Sequence, residues 1–447
     1  SGSGFYKKIG KGVIYALDLQ TMNYEPIKKK RFKAISMAKE QNTLEGRLKA
    51  SIFCDDEAGD FLWSITSKSF VYCAELLGEI SDDIVNIDNA MCWGFAWEKG
   101  PFKMWDILGF NKVLNKMKES GLIIPEWVLN MKKNGFSSFY KLINGEHFYY
   151  DKESKNYKKI KLDSNRVSFS IYKNNNKTIY KDWSASMVDI GDGVLGVELH
   201  SVLKADFNPL DGSIVSTLDK AVKWVKENNY KGIVISGDGP NFSAGANLNL
   251  ILNAAYRKEW DLINIMTKTM QDTFQSLRFA PFPVVAAPYG FVLGGGYEIC
   301  GSCDRIVAAA ESYIGLVEVG MGIIPGAGGN LRMLSNVSAN IKTMMPGSFP
   351  IVQKVFETVG FAKVATSAKE AVKLSYLRKN DKFILNRANL LHEAKNEVII
   401  MSENYTSPKV EKFKLPGASG RLVVDSSIKG FVKSKKISEH DAVVARK

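Results

Sequence analysis

Between Met187 and Ala308 the chain alternates short apolar runs with segments of helical period. That alternation restricts it to architectures in which strands are joined by helical crossovers. Val194–Val197, Gly232–Ser236, Val284–Ala287 and Arg305–Ala308 read as strands. Gly232–Ser236 and Val284–Ala287 are apolar on both faces, as strands of a covered parallel sheet are. Between them, Ile214–Asn228 sets Leu218, Val222 and Val225 on one helical face, Leu262–Leu277 reads as a helix, and another helix starts at Gly296. The fold class expected for this region is α/β.

The flanking regions differ in texture. Residues 1–50 are basic and poor in periodic apolar pattern. From Phe53 to Lys118 the period is helical, with Leu62, Ile65, Phe70, Cys73 and Leu77 sharing a face. Asp82-Asp83 offers an N-cap ahead of Ile84, Ile87 and Met91, and Gly100-Pro101 breaks an aromatic stretch before a helix at Trp105. These features predict a small all-α module. Residues 140–185 alternate aromatic and polar side chains, with Val167–Tyr172 strand-like and Asn174-Asn-Asn176 a turn, which predicts a β-hairpin bridge. Phe349–His392 reads as mostly helical and Tyr405–Leu422 as a Pro/Gly loop. The expected division is 1–140, 141–185, 186–345 and 346–447.

Composition narrows the function classes. The 447 residues are 45% hydrophobic and 24% charged, which excludes a collagen-like or wholly disordered chain. The balance of 60 Lys+Arg against 47 Asp+Glu gives +13, a field that favours polyanions, either nucleic acid or a phosphate-bearing cofactor. No platform of interleaved aromatic and basic residues accompanies it, so nucleic acid is not expected and most of the charge reads as solvated lysine. The most apolar window, Phe279–Gly296, is interrupted by three prolines and a glycine cluster, so no membrane span is expected. Five scattered cysteines suggest reduced thiols and a cytoplasmic setting. Cys300-Gly-Ser-Cys303 lacks the second pair of ligands a zinc site needs and reads as part of a packed helix; no metal is expected. Gly191-Asp-Gly193-Val-Leu-Gly196 has its strand after the glycines instead of before them, so it reads as a hairpin turn and not a dinucleotide site. The opening Ser1-Gly-Ser-Gly4 resembles a linker or a cut end, and no signal peptide precedes it.

Four blocks carry chemistry: Phe242-Ser-Ala-Gly-Ala-Asn-Leu248, Pro288–Glu298 with Gly294-Gly-Gly296, Gly315-Leu-Val-Glu318, and Ile324-Pro-Gly-Ala-Gly-Gly329. Gly294-Gly-Gly296 follows a strand and opens a helix, where backbone N–H groups lack intrahelical acceptors and small side chains let a ligand oxygen approach. Phe242–Ala246 is a second strand-to-loop turn of small residues. Two such turns, each aiming one N–H at the same carbonyl oxygen, make an oxyanion hole. Glu298 lies in the first turn of the helix and Glu318 follows twenty residues later. Two carboxylates beside a dry pocket can divide proton work, because burial and mutual repulsion separate their pKa values.

These blocks, in this order over residues 187–345, resemble the crotonase (enoyl-CoA hydratase/isomerase) superfamily. The resemblance implies a ββα spiral core with a helical C-terminal extension. It makes Ala246 and Gly295 the oxyanion donors and Glu298 and Glu318 the catalytic pair. Ala244, Gly245, Leu248, Gly294, Gly296, Pro325 and Gly326 form the expected substrate- and CoA-contacting set. Having both glutamates favours hydration over simple double-bond isomerisation. Asn247 stands where many members carry Asp. Gly4–Lys8, Cys54–Ala74, Asn89–Leu108 and Ser438-Glu-His-Asp441 resemble multifunctional fatty-acid oxidation enzymes in which a 3-hydroxyacyl-CoA dehydrogenase precedes the hydratase. That implies an NAD-binding Rossmann domain and catalytic histidine upstream of Ser1, with a cut also expected at Lys447. None of His147, His200, His392 or His440 sits in a matching context. The expected activity is hydration of trans-2-enoyl-CoA in β-oxidation, with a CoA thioester as substrate and NAD used only by the longer parent. The alternatives are an enoyl-CoA isomerase or a non-catalytic acyl-CoA-binding scaffold. The partner expectation is self-association or docking to the absent dehydrogenase domain.

Overall fold

A computed structural model describes the chain except for residues 1–3, 11, 28–29, 144–145, 162–164 and 342–347. Part of the Ser1–Gly4 opening, Lys28 and Lys29 of the basic cluster, and the expected boundary at 345/346 lie outside the described residues. The chain divides into two compact units, residues 1–161 and 162–447.

The first unit carries helices Lys33–Lys39, Leu44–Ile52, Glu57–Glu75, Ile84–Phe95, Pro101–Leu108, Phe110–Glu119 and Glu126–Lys133. The N-caps follow the sequence: Asp56 accepts from Gly59 N and Asp83 from Asn86 N. The unit is not all helical. A three-stranded antiparallel sheet over Tyr6–Gly10, Val13–Leu17 and Tyr24–Pro26 precedes the helices. Another, over Tyr140–Ile143, Glu146–Asp151 and Asn156–Lys159, follows them. The strands after the helices fall in the stretch expected as a β-hairpin bridge, whereas the exposed strands before them carry little apolar periodicity and were not expected. The core is aromatic: Phe70 stacks on Trp105 at 5.4 Å, and Phe139 meets Phe102 and Trp105 edge-on at 5.0 and 5.1 Å.

Two carboxylates, Asp88 buried and Asp106 half-buried, tie this core together. Asp88 accepts from Phe102 N at 2.8 Å, Lys103 N at 3.1 Å and Tyr140 Oη at 2.9 Å. It thereby caps helix Pro101–Leu108, which has no side-chain cap of its own. Asp106 accepts from Phe139 N and Tyr140 N at 2.8 Å each. Burial pushes Asp88 up to about 6 and Asp106 up to about 7, and the backbone donors oppose both shifts.

The second unit is built on a seven-stranded sheet. Its order is Lys382–Ile384, Arg305–Ala309, Val284–Ala286, Gly232–Ser236, Val194–Leu199, Ala185–Asp189 and Thr178–Lys181. The first five strands are parallel, in register through pairs such as Ile233↔Leu195 and Ile233↔Val284. The last two are antiparallel hairpin strands. Gly191, Asp192 and Gly193, all at positive φ, turn Ala185–Asp189 into Val194–Leu199. That is the hairpin expected of the glycine motif. Helix Gly212–Glu227 packs on the hairpin strands and Gly232–Ser236, and helix Leu390–Ser402 packs on the parallel strands.

From Gly232 the chain makes three similar passes. A strand of the large sheet leads to an extended segment beside a smaller sheet and then to a helix. Gly232–Ser236 is followed by the bridge Ser243↔Val292 and helix Leu248–Tyr256. Val284–Ala286 is followed by Gly290–Leu293 and helix Gly295–Ser302. Arg305–Ala309 is followed by Ser312–Gly315, a 3-10 turn Glu318–Met321 and helix Gly329–Ile341. This is the expected ββα order.

The strand expected over Val167–Tyr172 is instead helix Phe169–Asn174. Ser168 caps it, and Asp238 accepts from Phe169 N and Ser170 N. Phe169 is fully buried against Gly196. A long-range carboxylate and a glycine vacancy on a distant strand fix this helix, and local alternation does not report them. The turn at Asn174–Asn176 is present, with Asn176 at φ 57. In the tail, the loop ends at Pro416, where helix Gly417–Lys433 begins.

Replacing Asp88 by Ala would leave Phe102 N and Lys103 N without an acceptor. The expected cost is about 1–3 kcal/mol to the first unit, read as a lower denaturation midpoint for urea unfolding, with Asp88→Asn retaining part of the stability.

Candidate active site

The site is assembled from backbone first. Strand Gly290–Leu293 runs parallel to Ser312–Gly315, and Gly294 N continues the ladder onto Gly315 O at 2.8 Å. Gly294 then turns at φ 52, a conformation that L side chains rarely adopt, and helix Gly295–Ser302 starts. Gly295 N is the first N–H of that helix and has no intrahelical acceptor.

The second strand-to-loop turn comes from Phe242–Ala246. Phe242 N and Ser243 N donate to Tyr289 O and Phe291 O, which lays this segment along Gly290–Leu293. On its far side, Leu210 N donates to Gly245 O at 2.9 Å and Asn247 N to Leu210 O at 3.0 Å. These bonds flank Ala246 and use its neighbours' groups, so Ala246 N faces away from Leu210. It faces Gly295: a Cβ on Gly295 would stand 3.5 Å from Ala246 N. Among the described residues neither Ala246 N nor Gly295 N has an acceptor. Two free N–H groups of a buried turn and a half-buried loop therefore stand side by side.

Two carboxylates flank the same turn in different surroundings. Glu298 is 3% exposed, and its Oε1 accepts from Ala327 N and Gly329 N at 2.8 Å each. Burial raises its pKa, and the N–H groups of Gly329, Ala327 and Gly328 oppose the rise. Glu318 projects from the 3-10 turn so that a Cβ on Gly294 would meet its Oε1 at 3.0 Å. Its Oε2 is buried without a hydrogen-bond partner. Burial, then the charge of Glu298, push Glu318 up to about 8. Both carboxyls are thus pushed towards their protonated forms, and backbone N–H groups oppose this at Glu298 while Glu318 Oε2 stands without a partner.

A cavity of about 580 Å³ opens beside Ala246, between helices Gly212–Glu227, Leu248–Tyr256 and Trp260–Arg278. Leu210, Val215, Ile251, Ile263, Met266 and Met270 give it apolar walls. The Met270 methyl would lie 3.8 Å from a Cβ on Gly295, so the cavity reaches the paired N–H groups. Neither glutamate lines it.

The structure brings most of the expected site residues together and separates a few. Gly294, Gly295 and Gly296 are buried, with Gly296 against the Ser243 carbonyl. Gly245 lies next to Leu293 O and Gly295 N, and Ala244 N is occupied by Phe207 O. Pro325 is buried, and Gly326 O accepts from Gln271 Nε2. Leu248 points outward at 37% exposure and does not line the cavity. Asn247 lines the cavity and caps helix Leu248–Tyr256 through Asn249 N, a role that Asn and Asp fill alike. Sequence reasoning singled out the Ile324–Gly329 block but missed Ala327 and Gly329 as the donors that hold Glu298. The signal was there, since consecutive small residues before a helix leave N–H groups free. The Met and Ile cavity walls carried no signal beyond helical period. Cys300 and Cys303 are buried, and burial pushes both thiols up. Among the described residues no three His, Cys, Asp or Glu side chains are grouped as a metal would require, and no helix is long and apolar enough to cross a membrane.

Residues 189–345 match the enoyl-CoA hydratase/isomerase family. The paired N–H groups and both glutamates lie inside the matched range. A Bacillus subtilis protein, "Probable 3-hydroxyacyl-CoA dehydrogenase", is 39% identical over 450 residues, covering 100% of this chain and 55% of that protein. A Rickettsia prowazekii protein, provisionally named a fatty acid oxidation complex trifunctional enzyme, is 24% identical over 421 residues, covering 91% of this chain and 51% of its own length. The chain therefore spans about half the length of the curated relatives it matches. Among solved structures, an enoyl-CoA hydratase from Thermoplasma volcanium is similar at 19% identity and TM-score 0.41, over 59% of this chain and 90% of that one.

Gly294→Ala would force a methyl into a positive-φ position and against Glu318. The expected loss is about 1–3 kcal/mol of stability, read as a lowered thermal midpoint of the second unit. Ala246→Ser, which leaves the backbone intact, should unfold at the parent's temperature.

Proposed function

We propose that the second unit adds water across the double bond of a trans-2-enoyl-CoA to give the 3-hydroxyacyl-CoA, the hydration step of fatty-acid β-oxidation. The observation that carries this reading is the placement of two unbonded N–H groups, Ala246 and Gly295, beside two buried carboxyls, one of which accepts from two backbone N–H groups while the other has an oxygen without a partner.

In this reading the thioester oxygen accepts from Ala246 N and Gly295 N. Conjugation then draws electron density from C3 towards that oxygen, and the two N–H groups stabilise the negative charge that develops. Glu298, held ionised by Ala327 N and Gly329 N, takes a proton from the attacking water as its oxygen bonds to C3. Glu318 gives its proton to C2. One proton enters Glu298 and one leaves Glu318, and exchange with solvent restores the pair between turnovers. The apolar cavity takes the acyl chain. The carboxylates act on the other side of the Gly294–Gly295 turn, which accounts for their absence from the cavity walls.

The rest of the proposal concerns the longer relatives. A chain of this kind belongs to a protein that also oxidises 3-hydroxyacyl-CoA with NAD, as the name of the Bacillus subtilis relative suggests. That activity is not expected of these residues alone. The match is to a family of hydratases and isomerases, and Glu318 placed to deliver a proton to C2 suits either reaction. Glu298, held as a base by two N–H groups, is what favours hydration.

The test is hydration of crotonyl-CoA, followed by loss of the conjugated-thioester absorbance. Glu298→Gln and Glu318→Gln should each lower kcat by about 10²–10⁴-fold with little change in the melting temperature. Full activity in the double variant would refute the assignment. The pH profile follows from the two raised pKa values. Activity needs Glu318 protonated and Glu298 ionised. The rate should fall as pH rises past about 8, where Glu318 loses its proton, and fall again on the acid side as Glu298 gains one, above the ordinary glutamate range. The residual activity of Glu318→Gln should lack the alkaline limb. Conversion of a 3-enoyl-CoA without hydration of crotonyl-CoA would assign the site to isomerisation instead.

A further inference from the structure

A second, smaller cavity lies away from the paired N–H groups. It measures about 160 Å³ and is enclosed by helices Trp260–Arg278 and Gly329–Ile341 and by the segment after Leu390–Ser402. Gln275, Arg278, Arg332, Ser335, Lys409 and Glu411 supply its polar lining. The segment is pinned just before it reaches the cavity. Tyr405 Oη donates to Asp304 Oδ2 at 3.0 Å and Ser407 Oγ to Ala280 O at 2.8 Å.

The charges of this cavity do not balance. Arg332 is 8% exposed, yet among the described residues its only side-chain hydrogen bond runs from Nη2 to Gln275 Oε1 at 3.1 Å, and its Nε is buried with no acceptor. A guanidinium presents five N–H donors, and leaving one buried and unpaired is costly. Arg278 stands in the same lining, its side chain 14% exposed, and makes a 3.6 Å ion pair with Glu411, beyond hydrogen-bonding length. Among the described residues of the lining Lys409 is the third cation and Glu411 the only carboxylate. Burial, then the charge of Arg278, push the Arg332 guanidinium down to about 10.

We propose that this cavity binds a small phosphate-class oxyanion, held by Arg278, Arg332 and Lys409, with Glu411 competing for the same guanidinium. Three cations less one carboxylate leave two positive charges, which a dianion neutralises. The donors reach the cavity from three separate segments, which suits a tetrahedral acceptor better than a planar carboxylate. The size argues for an ion: pockets that take whole small molecules run about 300–1,000 Å³. A bound oxyanion would tie the 405–413 segment to the two helices. None of these residues belongs to the proposed catalytic set, so the inference stands apart from the hydration reading.

The test is calorimetric titration of the full chain with sodium phosphate, against sodium chloride of equal ionic strength. Saturable phosphate binding at one site is expected. Glu411→Gln, an exposed change that leaves the fold undisturbed, should tighten it about tenfold, the effect of about 1.4 kcal/mol. Lys409→Ala, also exposed, should weaken it several-fold, and Arg332→Met should abolish it where the variant retains the parent's circular dichroism. Tryptic cleavage after Lys409 should slow in phosphate for the parent and not for Lys409-intact Arg332→Met. Adenosine 3′,5′-bisphosphate distinguishes the source. Displacement of bound phosphate by it would place the phosphate of a nucleotide in the same cavity, and failure to displace supports the free ion. No saturable phosphate binding by the parent, or an affinity unchanged in both Glu411→Gln and Lys409→Ala, would overturn the proposal.

Discussion

A buried backbone N–H without an acceptor is uncommon in a folded protein, because losing its water costs about 1–3 kcal/mol. The free N–H groups of buried Gly295 and half-buried Ala246, side by side, have to be held there by bonds that their neighbours make. Gly294 N is spent on Gly315 O, and Gly245 O and Asn247 N are spent on Leu210. The first of these bonds extends the pairing of Gly290–Leu293 with Ser312–Gly315 by one residue, and the other two make an isolated bridge between Leu210 and Ala246. The smaller sheet, the Ser243↔Val292 bridge and the positive φ of Gly294 serve one outcome: the chain enters helix Gly295–Ser302 beside Ala246 with its first N–H free. The parallel core behind it is rigid enough to hold that arrangement because its strands are covered on their faces and in register across five members.

This order of dependence explains what could be read from the sequence. Gly232–Ser236 and Val284–Ala286 were legible because a parallel strand buried on both faces must be almost wholly apolar. The glycine turn was legible because few residues other than Gly tolerate both the φ at 294 and the crowding at 295. Helix Phe169–Asn174 was not legible. Its sequence alternates like a strand, and what decides its conformation is Asp238 and the space over Gly196, both distant in sequence. The division of the chain falls at residue 161/162, and the strands Tyr140–Lys159 belong to the first unit through Tyr150 and Phe139 in its aromatic core. Alternation alone does not say which core a strand's inward face meets. Leu248 shows the converse limit: a motif match names a position, and the cavity was instead lined by residues one turn further on, such as Leu250 and Ile251.

The two glutamates show how loops set chemistry that side-chain identity leaves open. Glu298 and Glu318 are the same residue type beside the same turn, and burial raises both. The difference lies in the donors. The Ile324–Gly329 segment folds back so that Ala327 N and Gly329 N reach Glu298 Oε1, whereas Glu318 Oε2 has nothing to accept from. Charge-assisted bonds of this kind are the strongest available to a carboxylate short of an ion pair. Once Glu298 is negative, its field raises Glu318 further. The two titrations are therefore coupled: each N–H that favours ionised Glu298 also favours protonated Glu318. A substitution in the 327–329 loop that removed one donor would shift both groups while touching neither side chain. The backbone of that loop thus bears on the protonation of both glutamates.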